Sequence, residues 1–153
     1  MMIRDGHSLS EIVVVVLILG VMACVAVPRL QWGAVDGANA DGVARKLATD
    51  LRRARAAALL EAAQNPTGFA VVMTGPPGQY AGYQIVNLQD STVVDSHEIP
   101  DSVRCKGGAR FEFGPLGNLA GGSDTTIQVS GAGKTTTITI VSATGAVKCA
   151  GSD

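Results

Sequence analysis

The spacing of apolar positions changes twice along the chain. From Ile12 to Val27 apolar residues are continuous, interrupted only by Gly20. A helix apolar on every side must be surrounded by lipid or by other helices. From Val43 the apolar positions thin out to Val43, Leu47, Leu51, Ala54 and Ala58. That mixed three- and four-residue spacing predicts an amphipathic helix. Asp41 is placed to cap it, and "QNPTG" (Gln64–Gly68) carries the residues that end one. After Thr67 the period falls to two. Residues 68–74, 83–88, 91–96, 109–113, 125–130, 135–142 and 145–149 read as strands. "GPPGQ" (Gly75–Gln79) and "GAGK" (Gly131–Lys134) punctuate them. In the last hairpin Ile138 and Ile140 alternate with Thr137 and Thr139, giving one buried and one wet face, with Ile127 and Val129 on the facing strand.

The apolar run covers roughly 16 residues, or ~24 Å of helix. A spanning helix wants about 20 residues, so the run is slightly short, with Leu9 and Leu30 extending it at the margins. Two ordinary assignments fit it: a secretory signal peptide, with "ACVA" (Ala23–Ala26) as its cleavage region, and a plain N-terminal anchor. Neither explains Glu11, an acidic residue set against the run. A carboxylate deep in a membrane costs about 2.5–3.5 kcal/mol on insertion scales. A chain that keeps one there has a use for it.

Glu11 sits in a longer pattern: Gly6, His7, Ser8, Leu9, Ser10, Glu11, Ile12, preceded by "MMIRDG" and followed by Gly20 and Pro28. This resembles the start of type IV prepilins and type II secretion pseudopilins. His7 stands where that family usually has Phe. The resemblance implies cleavage after Gly6 by a prepilin peptidase and methylation of the new amine at His7. It implies that Glu11 pairs with the amine of a neighbouring subunit during assembly. It also implies that the helix loosens between Gly20 and Pro28 in a filament. Physically, an ammonium and a carboxylate attract strongly where water is excluded, and Gly and Pro both weaken a helix. "DLRRARAAALLEA" (Asp50–Ala62), "ARFEFGPLGNL" (Ala109–Leu119) and "SATGAVK" (Ser142–Lys148) are similar to segments of the minor pseudopilin H (FimT-like) group.

The resemblance implies an α+β fold: one long N-terminal helix, apolar half then amphipathic half, packed on an antiparallel β-sheet or β-sandwich head. It divides the chain into a leader (1–6), an apolar membrane and filament-core helix (7–32), an amphipathic second half (33–66) and a β-rich head (67–153). The expected function is structural: a filament or pseudopilus subunit, first held in the bacterial inner membrane by one span with its head outside the cytoplasm. It would then join a periplasmic pseudopilus or a cell-surface filament. Expected partners are related pilin subunits, the prepilin peptidase and an inner-membrane assembly platform.

Charge limits the alternatives. The 153 residues carry a formal net charge of −1, which gives no global attraction to nucleic acid. Arg45, Lys46, Arg52, Arg53 and Arg55 concentrate positive charge on the second helix. They support a rival reading, a minor pilin that binds DNA for uptake. Charge is its only support: a solvated helix face is the commoner explanation, and contact with partner carboxylates in a filament is intermediate. "SGAGKTTT" (Ser130–Thr137) imitates a P-loop, but Gln128 stands where the first glycine belongs and a β-branched strand follows Lys134. His7 and His97 have no local catalytic company, so neither enzyme chemistry nor a cofactor nor a metal site is expected. Cys24 reads as a small packing residue. Cys105 and Cys149, in a head expected outside the cytoplasm, are expected to form a disulfide, the alternative being two separate thiols.

Overall fold

The computed structural model describes residues 9–152, with side chains for 9–23 and 37–151. Helical backbone, α1, is assigned to Leu9–Leu60. Among the described residues eight strands follow: β1 (Phe69–Thr74), β2 (Gly82–Asn87), β3 (Val93–Glu98), β4 (Arg104–Gly107), β5 (Arg110–Phe113), β6 (Thr126–Gly131), β7 (Lys134–Val141) and β8 (Ala146–Ser152). They form two antiparallel sheets of four, ordered β3-β2-β1-β5 and β4-β6-β7-β8.

The expected α+β plan, a long helix serving as one spine for a sheet head, is corrected here. The chain is mostly β, and its helical part acts as two short pieces, 9–23 and 37–60. The chain divides at Val35/Asp36 into two units. In the first unit every described side chain, Leu9 to Ala23, is exposed. In the second, the piece 37–60 packs with the strands. The sequence supplies the reason. "WGAVDGANADG" (Trp32–Gly42) is rich in glycine and polar residues, and among the described side chains burial begins at Ala40.

In the second unit, Ala40, Ala44, Leu47, Ala48, Leu51, Ala54 and Ala58 are buried. Leu47, Leu51, Ala54 and Ala58 are the expected stripe. Val43 packs only at its margin, and three alanines complete the face. Side chains that short let the helix lie close to both sheets. Phe69, Val71, Tyr83, Phe111 and Phe113 meet it from the first sheet. Cys105, Ile127, Val129, Ile138 and Ile140 meet it from the second. Full burial of a Leu or Phe side chain stabilises a fold by about 1.5–3 kcal/mol, so these contacts supply most of the head's cohesion.

The seven strand segments read from period two coincide with β1, β2, β3, β5, β6, β7 and β8. Ile127 pairs with Ile138, as the alternation requires. Asp41 does not cap the second piece. It lies within helical backbone and holds Arg45 one turn on, 3.0 Å away. The helix stops at Leu60, and Asn65 fastens the turn that leads into β1. Its buried side chain accepts from the Gly68 N–H at 2.8 Å and donates to the Gly68 carbonyl at 2.9 Å and to Asn87 at 2.8 Å. Gly68 has φ +84, and a Cβ there would overlap the Phe113 carbonyl oxygen.

Candidate functional site

The predicted assembly residues are only partly described. Gly6 and His7 lie outside the described residues. Pro28 falls within the helical backbone, but its side chain, like those of Cys24 and Trp32, lies outside the described ones. Glu11 and Gly20 are exposed on the first helical piece. Between them the apolar residues from Ile12 to Leu19 are all 50–63% exposed, and Val21 and Met22 continue the series. Since these residues are consecutive, they cover every side of the helix. Among the described residues, no helix is long and apolar enough to cross a membrane.

The five cations predicted as DNA or partner contacts each make one contact within the chain. Arg45 pairs with Asp41. Lys46 reaches Asp50 at 3.7 Å. Arg52 donates to the Val147 carbonyl at 3.2 Å, and Arg55 to the Gly117 carbonyl at 3.1 Å. Arg53 holds Asp95 at 2.9 Å. Three of these contacts therefore tie the helix to strands or loops distant in sequence.

Sequence reasoning missed the polar cluster that Arg53 helps to close. Asp50 is buried, 6% exposed, on the helix. Its Oδ2 accepts a 2.7 Å hydrogen bond from the Tyr83 hydroxyl on β2. His97 Nε2, on β3, lies 3.4 Å from Asp50 Oδ2 and 3.4 Å from Asp95 Oδ2. That nitrogen is buried and makes no hydrogen bond to either. The Tyr83 and His97 rings are 5.2 Å apart and tilted. Burial first, then the bond to Asp50, push the Tyr83 phenol far above its ordinary value. The arrangement fastens the helix to the β2–β3 edge of the first sheet. Among the described residues, no group of His, Cys, Asp and Glu is set to hold a metal ion.

The expected disulfide is also corrected. Cys105 and Cys149 are free thiols, one buried and one exposed. Cys105 lies on β4 and Cys149 on β8, the two opposite edges of the second sheet. Three strand spacings of 4.7–4.9 Å separate them by about 14 Å. A disulfide needs Cα atoms within about 7 Å. Only the order of the strands decides this, and spacing along the chain does not give it.

Burial pushes the Cys105 thiol from 9.0 to about 11. Below pH 9 both the folded and unfolded chains keep that proton, so the thiol adds no pH dependence. Between pH 9 and about 11 the unfolded chain loses it and the folded chain does not. Stability therefore falls as pH rises through this window. Tyr83 extends the fall above pH 10, the ordinary tyrosine value. Cys105→Val is expected to delay the onset of this decline from near pH 9 to near pH 10. Urea unfolding midpoints measured from pH 8 to 11 check it.

The P-loop imitation is a hairpin. Ala132 and Gly133 form its two-residue turn with φ 49 and 81, and Lys134 begins β7. Comparison with family models, with curated proteins and with solved structures finds no match to this chain.

Proposed function

We propose that this protein is a structural subunit of a type IV pilus-like filament or type II secretion pseudopilus. The observation that carries the reading is the first helical piece: apolar on every side, exposed along its length, and headed by Glu11. Such a surface is not stable in water alone. It fits the crowded centre of a helical bundle, where neighbouring apolar helices cover it. A membrane-anchored stage before assembly belongs to the same proposal, as do cleavage after Gly6, a new amine at His7, and loosening of the helix between Gly20 and Pro28. The partners are further pilin-like subunits, the prepilin peptidase and the inner-membrane assembly platform. The head sits outside the cytoplasm, in a periplasmic pseudopilus or a surface filament.

The rival reading, DNA uptake on the basic helix face, rests on charge alone: each of the five cations has one contact within its own chain, and Arg45, Lys46 and Arg53 keep exposed side chains.

The amino terminus of the mature protein tests the proposal. Mass spectrometry of protein expressed with a prepilin peptidase is expected to find chains beginning at His7. A Gly6 variant carrying a charged residue should stay uncut. Chains beginning after Ala26 would mark an ordinary secreted protein and overturn the proposal.

A further inference from the structure

The open edge of the second sheet offers a site that the filament reading neither uses nor requires. β8 is its last strand. In the two-residue β6–β7 hairpin, Gly131 and Lys134 form the hydrogen-bonded pair that closes the turn. Every second residue of β7 after Lys134 therefore turns its backbone to β6. Thr135, Thr137 and Thr139 turn theirs to Ser152, Ala150 and Lys148 of β8. The backbone groups of Val147, Cys149 and Gly151 consequently face outward. Arg52 occupies the Val147 carbonyl from that side, at 3.2 Å.

Beyond Val147 the edge borders a groove of about 570 Å³. Ala44, Ala48 and Thr49 of the helix form one wall, and Cys149 and Gly151 form the other. Arg45 and Arg52 line it against a single acid, Asp41. Arg45 keeps an 80% exposed side chain although it pairs with Asp41. A guanidinium has five N–H donors, so each arginine retains donors after its internal contact.

We propose that this groove accepts an extended peptide segment bearing an acidic side chain, by strand addition to β8. Outward N–H and C=O groups on alternate residues are what a further strand pairs with. The alanine wall leaves room for a backbone to lie close to the helix. The net positive lining selects a carboxylate, and the Arg52–Val147 contact blocks pairing further back along the strand, which fixes the register.

Hydrogen exchange of the full chain tests the proposal. The probe is a blocked hexapeptide of alternating threonine and valine with one central glutamate. At ten times its dissociation constant, exchange at the Cys149 and Gly151 amides is expected to slow by roughly tenfold. Gly151→Pro removes the outward N–H without touching the β7 pairing, and a side chain there meets open space. This variant should lose the protection at Cys149 while keeping its unfolding midpoint, and Gly151→Ala should keep both. No slowing in the wild-type chain overturns the proposal, as does equal slowing by a peptide with lysine in place of glutamate. Slowing that persists in Gly151→Pro also overturns it. Protection that grows with protein concentration in the absence of peptide assigns the edge to a second copy of the chain and overturns this occupant.

Discussion

Glu11→Ala is expected to reduce incorporation into filaments by at least about tenfold while leaving the head's unfolding midpoint unchanged. The two effects separate because Glu11 belongs to the first unit, and among the described residues every buried core residue lies at or beyond Ala40. In the proposed assembly the carboxylate meets the ammonium at His7 of a neighbouring subunit among apolar helices. Removing one partner of such a buried pair costs about 3–5 kcal/mol, and each 1.4 kcal/mol is a factor of ten. Membrane insertion cannot account for the loss, since deleting the charge makes insertion cheaper. Quantitative immunoblotting of sheared filaments against whole cells, at matched expression, gives the ratio. Glu11→Asp tests reach: it keeps the charge on a shorter side chain and should recover part of the incorporation. Wild-type incorporation of the alanine variant would remove the pairing role.

The largest effect on head stability is expected at Asp50. Asp50→Ala leaves the Tyr83 hydroxyl, on a residue 2% exposed, without its acceptor. It also takes away one of the two carboxylates beside His97 Nε2. An abandoned buried donor costs about 1–3 kcal/mol, and a hydrogen bond to a charged group is worth about 1.5–3. Asp50→Ala should therefore destabilise the head by roughly 2–4 kcal/mol. Tyr83→Phe alone should cost less, because Asp50 keeps Lys46 and His97 nearby. In the Tyr83→Phe background, Asp50→Ala should cost about 1–2 kcal/mol less than in the wild type, since no hydroxyl is then stranded. Urea unfolding of the four proteins closes this cycle. Strict additivity would mean that the hydroxyl and the carboxylate do not depend on each other.

Local periodicity carried much of the fold. Alternation over residues 135–142 located β7 and its buried isoleucines, and the stripe through Leu47, Leu51, Ala54 and Ala58 located the packed helical face. What it missed has physical causes. β4 is four residues long and alternates Arg104 and Lys106 with Cys105 and Gly107, too short and too charged to register as a strand. Ala40, Ala44 and Ala48 are buried as fully as leucines, but alanine is at home on either face of a helix. His97 looked isolated because its companions come from the helix and from β2, distant positions that only the packing brings together. The cysteines were misjudged for the same reason: the sequence places each near a strand and is silent on which strands are neighbours. The basic helix was legible as a charged face. Its partners, two of them backbone carbonyls at Gly117 and Val147, carry no mark in the sequence.

The division at Val35/Asp36 has a genetic consequence. Among the described residues, those that hold the head together and those that present the apolar surface form two lists with no member in common. Substitutions between Leu9 and Ala23 are expected to leave the folding of the head unchanged, and substitutions within the core to leave the apolar surface unchanged. Mutations in the two segments should therefore complement poorly as suppressors of one another. In the proposed assembly, a compensating change for a defect in the first unit should arise in the first unit of a neighbouring chain, and one for a head defect within the same head.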